Sequence, residues 1–420
     1  MKIPNLITAL AACAAGLTHA IAQTAAPLPG ADFPEGPGKA IVMRTCGGCH
    51  DINRLRIGYT PEGWRTVVRM MQNMGTPVSA DDWLEVTDYL TKALPERARP
   101  AAVIIPGPVK VEIKLWPVPT PGSRPHDPLA TRDGMIWWTG QLSNRLGRLD
   151  PATGEMKEFQ LKTQHSGPHG LTEDAQGNIW FTGNNLGIIG KLDPKTGGVT
   201  QYRIPDRSAH DPHTLIFDRD GILWFTVQQA NKIGRLDPKI DPAKPEAIKL
   251  ATLPGEKSRP YGMALSSKNQ VFVVEFGANR ILSVSGADMK IKEYALPDPG
   301  ARPRRLAMGP DDTIWYSDYA RGFIGRLDPA TGKVQEWASP SGPKSEPYGI
   351  VFTKGAVWYS ESGSKPNTIV RFDPATEKFQ SWAFPGSLGG DIVRNMSVTP
   401  DGNPVTANSL SNEVGLVVVK

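Results

Sequence analysis

The sequence predicts two unlike domains, a small all-α unit followed by an all-β seven-bladed propeller. Three observations carry this. Between residues 31 and 97 apolar residues recur at helical spacing. Beyond residue 109 a strand-rich unit of about 44 residues recurs six times and then once more in reduced form. A Pro- and Ala-rich stretch without periodicity, residues 98–108, lies between them as a linker. A chain of 420 residues with 43 Gly, 39 Pro and 11 Trp suits many short strands joined by tight turns. The 47 Lys+Arg against 42 Asp+Glu give +5 without basic blocks, which excludes a nucleic-acid footprint.

Residues 1–22 read as an export signal: Lys2, an apolar run from Leu6 to Leu17, and Ala20-Ile21-Ala22 before Gln23. The run is too short for a transmembrane anchor, and the expected location is the periplasm. Leu10-Ala11-Ala12-Cys13 is a weaker lipoprotein-type alternative.

In the helical unit, Cys46-Gly47-Gly48-Cys49-His50 has the spacing by which a chain holds c-type haem. Two thiols form thioethers to the vinyl groups and the adjacent imidazole ligates iron. Once the signal is removed, Cys46 and Cys49 are the remaining cysteines, and no second pair of ligands at zinc spacing lies nearby. Thr60-Pro61 caps a helix with Trp64, Val67, Val68 and Met71 on one face, stopped by Gly75. Ser79 with Asp82 opens the next, whose inner face is Trp83, Val86, Tyr89 and Leu90. Residues 31–97 thus resemble a small c-type cytochrome. The resemblance implies one covalent haem, held by Cys46 and Cys49, with His50 and a methionine as axial ligands. Met71 is the expected sixth ligand, Met74 lies on nearly the same face, and Met70 is expected to point elsewhere.

In residues 109–420, Pro-x pairs open strands at Pro125-His126, Pro168-His169, Pro212-His213, Pro260-Tyr261, Pro303-Arg304 and Pro347-Tyr348. The prolines are 43, 44, 48, 43 and 44 residues apart by subtraction. Aromatic strands such as Ile179-Trp180 and a Gly-Arg/Lys-Leu-Asp-Pro motif run in phase. Four strands per unit at this period is propeller spacing. The last unit, Met396 to Lys420, supplies three strands, so Val111 to Trp116 is expected to complete it. Gly167-Pro-His-Gly170, Arg259-Pro-Tyr-Gly262, Glu346-Pro-Tyr-Gly349 and Asn231-Lys-Ile-Gly-Arg235 give this region a close resemblance to the virginiamycin B (streptogramin) lyase family.

The repeat geometry places His126, His169, His213, Tyr261, Arg304 and Tyr348 at strand starts on one face. Glu275, Asp318 and Glu361 come from the ends of the following strands. His126, His169, His213, Glu275, Asp318 and Glu361 are therefore the candidate catalytic cluster, with His165 and His210 as weaker members. Imidazoles facing carboxylates across a channel suit magnesium or another divalent metal, or general-base chemistry. The family resemblance implies β-elimination with magnesium and a histidine base. The units carrying the histidines, however, end their second strands in Gly140, Gly183 and Val227.

The leading reading is an exported haem protein that transfers electrons, its propeller binding a small-molecule substrate or a periplasmic redox partner. The alternatives are a metal-dependent C–O lyase with an accessory haem, and a non-catalytic binding scaffold.

Overall fold

The computed structural model describes residues 33–48, 51–286, 288–387 and 391–420. The expected export signal, Cys49 and His50 lie outside the described residues. Among the described residues no helix is long and apolar enough to cross a membrane.

Seven four-stranded antiparallel sheets form the propeller. The first blade runs Pro125–Ala130, Ile136–Gly140, Arg145–Leu149 and Met156–Gln160, from the channel outward. The next five repeat this order. The seventh blade is completed by Val111–Pro117, which pairs with Glu413–Val419, so strands from both ends of the propeller close the ring.

Two sequence motifs acquire physical reasons here. The Gly of Gly-Arg/Lys-Leu-Asp-Pro sits in the third strand beneath an aromatic ring of the second. A Cβ on Gly147, Gly190, Gly234 or Gly325 would come within about 2 Å of Trp138, Phe181, Phe225 or Tyr316. The following Asp accepts a turn N–H, as Asp150 does from Ala152 at 2.9 Å. At the strand starts, each proline pairs with the end of the second strand: Pro125 with Gly140, Pro260 with Glu275, Pro347 with Glu361. A bulge follows each proline and interrupts the ladder.

A hydroxyl from the second strand restores the bonding at that bulge. Thr182 Oγ1 accepts the Gly170 N–H at 2.8 Å and donates to the His213 carbonyl of the next blade at 2.8 Å. Thr139, Thr226, Ser317 and Ser360 do the same, reaching His169, Tyr261, Tyr348 and Val393 at 2.9, 3.0, 2.7 and 2.9 Å. Each hydroxyl is buried, satisfies two backbone groups and joins neighbouring blades.

The described helices are α1 (Lys39–Gly47), a 3₁₀ turn (Ile52–Ile57), α2 (Pro61–Asn73) and α3 (Ala80–Ala93). Thr60 accepts from the Gly63 N–H at 3.1 Å and Ser79 from the Asp82 N–H at 3.1 Å, so both caps act as read. Gly75, at φ 78°, ends α2. Val42, Leu55, Trp64, Val68, Trp83, Val86 and Leu90 form their own core.

This unit sits on the face where the strand starts open. Asn73 Nδ2 donates to the carbonyls of Pro121 and Gly122 at 2.9 and 3.0 Å. Gly122 is required there, since a Cβ would lie 2.9 Å from the Met70 nitrogen. The connecting segment is pinned to the sixth blade: Ala102 N–H donates to the Lys365 carbonyl at 3.1 Å and Ile105 N–H to Ser381 Oγ at 2.8 Å.

Replacing Thr182 by Val keeps the shape but removes both bonds of one staple. The expected cost is about 1–3 kcal/mol, read as a lower thermal midpoint, whereas Thr200→Val on an outer strand should change it little.

Candidate functional site

The bulge turns the residue after each strand-start proline into the channel. His126, His169 and His213 stack in succession, with ring centroids 3.8 and 3.9 Å apart, and Tyr261 continues the stack 3.9 Å from His213. The Tyr261 and Tyr348 hydroxyls hydrogen-bond across the ring. Arg304 lies among Tyr348, Tyr319 and Phe276, its guanidinium carbon 3.8, 4.1 and 4.5 Å from their ring centres.

The seventh member of this ring is Arg394. It follows Val393 rather than a proline, so the Pro-x marker misses it. Its signal is the strand register, because Val393 pairs with Asn408 as Pro125 pairs with Gly140.

One residue further along, a polar floor closes the channel beneath the stack. Asp127 accepts from Arg305 Nη2 at 3.1 Å and from Asn395 Nδ2 at 2.9 Å, and bonds His126 Nδ1 at 2.8 Å. Arg305 also donates to Thr214 Oγ1 at 2.9 Å and to the Arg394 carbonyl at 3.1 Å. The three imidazoles are each about 3 % exposed. Burial holds all three well below the usual histidine pKa. Arg394 and Arg124 add to this at His126, His126 at His169, and His169 at His213.

The expected carboxylates are not brought to this stack. Glu275 is bound by Arg280 Nε at 2.8 Å, and Asp318 by Arg321 Nε at 2.5 Å and the Arg302 N–H at 3.0 Å. Glu361 accepts from Ser339, the Ser341 N–H and Thr368 at 2.6, 2.9 and 2.7 Å. Each is committed to local structure. Among the described residues, the single group whose donor atoms lie within metal-binding reach is His126, Asp127 and His169, all within 4.8 Å. Its only carboxylate already faces Arg305. That donor set suits a hard, oxygen-seeking magnesium ion poorly. His165 and His210 are exposed on loops outside the stack.

Above the channel mouth, between it and the helices, lies a cavity of about 510 Å³. Its helical walls are Cys46, Leu55, Trp64, Val68, Trp83, Val86 and Leu90, with Met71 and Met74. Met70, expected on another side of its helix, also reaches this cavity. Leu142, Ile392, Leu410, Arg124 and Arg394 form the propeller wall.

Fold and site together define a seven-bladed propeller with a plugged, histidine- and arginine-lined channel under a helical cap. The model of the virginiamycin B lyase family matches residues 104–371, more than half of the chain, and the protein belongs to that family. Among solved structures it is similar to a streptogramin B lyase at 26 % identity, TM-score 0.67, covering 74 % of this chain and 98 % of the other. It is also similar to virginiamycin B lyase from Staphylococcus aureus at 22 % identity, TM-score 0.66, over 74 % and 99 %. Kuenenia stuttgartiensis hydrazine synthase shares the fold at 13 % identity, TM-score 0.58, over 71 % and 96 %. Comparison with curated proteins gives no match.

Neutral buried imidazoles make stability depend on pH. With folded pKa values below the ordinary 6.5, the unfolded chain binds protons that the folded one cannot. Stability is therefore full above about pH 7 and falls as pH drops below about 6.5. Glu413, pushed up to about 7 mainly by burial, opposes this, as do Glu275 and Asp211, whose carboxyls burial also raises from lower starting values. The thermal midpoint should fall between about pH 6.5 and pH 5; a flat or rising profile over that range would contradict neutral, buried histidines.

Proposed function

We propose that the protein is an exported c-type haem protein that transfers electrons, and that its propeller supplies one wall of the haem site. Cys46 and Cys49 would hold the cofactor as thioethers, and His50 and Met71 would ligate its iron. The observation that carries this reading is the cavity itself. It has Cys46, Met70, Met71 and Met74 on one side, a largely apolar lining, and a volume of about 510 Å³, within the range of cofactor sites. Bound there, haem supplies one-electron exchange, at a potential raised by methionine ligation.

The chain's own residues have definable tasks. Trp64, Val68, Trp83, Val86 and Leu90 exclude water from the cavity. The Trp64 indole donates to the Leu94 carbonyl at 2.8 Å and is fixed by it. Thr76 N–H and Oγ1 both bond the Met71 carbonyl, at 3.2 and 2.8 Å, setting the end of α2 that presents Met71 and Met74. The channel is filled by its stacked rings, so a redox partner or substrate is expected to exchange electrons at the protein surface near the cavity rather than inside the channel.

Family membership favours a second reading, elimination from a cyclic ester. Against it stand the engagement of Asp127, the carboxylate beside the histidines, by Arg305 and Asn395, the local pairing of Glu275, Asp318 and Glu361, and the helical cap over the strand-start face. Streptogramin B should remain intact on incubation with the protein, with or without magnesium; ring opening lost on His169→Ala would restore the lyase reading.

The haem reading predicts a c-type pyridine haemochrome spectrum with one haem per chain when the protein is exported by a host that matures cytochromes c. Met71→Ala should lower the midpoint potential and abolish the methionine-to-ferric charge-transfer band, whereas Met74→Ala should retain both. A haem-free, colourless wild-type protein would refute the reading.

A further inference from the structure

The cavity's charge is one-sided. Arg54, Arg124 and Arg394 line it and, among the described residues, no Asp or Glu does. Among the described residues, Arg124 and Arg394 form no ion pair, and Arg394 Nη1, buried, has no hydrogen-bond partner. Burial, and then repulsion from Arg394, push Arg124 down to about 9. Two facing guanidinium groups without a counter-charge are unfavourable unless an anion completes the site.

Arg124 adopts the backbone conformation of its position in the repeat. It sits at φ 56°, in the left-handed region, immediately before Pro125. Equivalent positions in other blades share it, Gly167 at φ 60°, Arg259 at φ 52° and Glu346 at φ 51°. Glycine adopts this conformation without strain, whereas arginine does not. Its side chain reaches the cavity shared with Cys46, on the wall made by the propeller.

The missing ligand is therefore an apolar body carrying negative groups. We propose that Arg124 and Arg394 bind the two propionate carboxylates of the haem, clamping the cofactor between the helical unit and the propeller. This rests on the haem reading above and extends it to the propeller's own residues. Arginine matches carboxylate geometry with paired donors, and the cavity has two such groups on the wall across from its helical side.

The test uses full-length, haem-loaded protein. Arg394→Gln and Arg124→Gly each remove one positive charge, and the glycine variant copies Gly167 and relieves the strained backbone, so it should fold. Haem content should stay at one per chain, because attachment is through the cysteines. The midpoint potential should fall, since a lost positive charge favours the ferric state. One unit charge about 10 Å away at an effective dielectric of about 20 changes the reduction equilibrium about tenfold or somewhat more. That is about 59 mV per tenfold for one electron. Arg394→Lys should restore most of the shift. If haem is present and both charge-removing variants keep the wild-type potential within about twofold in the equilibrium, the propionate assignment is overturned while the haem reading stands. An unchanged potential with weakened turnover of an added carboxylate or phosphate donor would assign the arginines to a diffusible anion instead, which also overturns it. Absence of haem from the wild type defeats the underlying reading.

Discussion

The hydroxyl staple at the strand-start bulge is the interaction on which the architecture turns. Without it, the bulge in five of the seven blades would leave one N–H and one carbonyl unpaired in a dry interior, at about 1–3 kcal/mol each; Val274 and Ala407 stand at this position in the other two. With it, a single Thr or Ser both repairs the ladder and fastens the neighbouring blade. The carbonyls it holds belong to His169, His213, Tyr261, Tyr348 and Val393, so the same bonds that join these blades fix the backbone beside the channel side chains. Blade assembly and site geometry are therefore one constraint.

That constraint explains why the channel is packed rather than open. Rings delivered by successive blades stand less than 4 Å apart and fill the space, and the Asp127–Arg305 pair floors it. Open space lies above it instead, in the cavity between the channel mouth and the helices. There the propeller contributes arginines and leucines rather than a base and a metal.

Much of this was legible in the sequence because it repeats. The 44-residue period, the proline positions and the closure by Val111–Pro117 follow from strand chemistry that each unit states independently. The caps at Thr60 and Ser79 were equally readable, since a local hydroxyl decides them. The carboxylates were less so. Register places Glu275, Asp318 and Glu361 at the expected strand ends, but only the fold reveals that Arg280, Arg321 and a trio of hydroxyls claim them. Arg394 was hidden because its unit lacks the marker proline, and Arg124 because its significance depends on a neighbouring domain. Local pattern predicts where a residue sits in its strand; which groups compete for it is a tertiary property.

The proposed haem would be enclosed jointly by α1, α2 and the channel mouth. Anomalous diffraction at the iron edge from crystals of the exported protein tests it most directly. One iron peak within the cavity between Cys46 and Arg394 is the result expected. No peak, or one on the helical unit's outer surface away from the propeller, would contradict it.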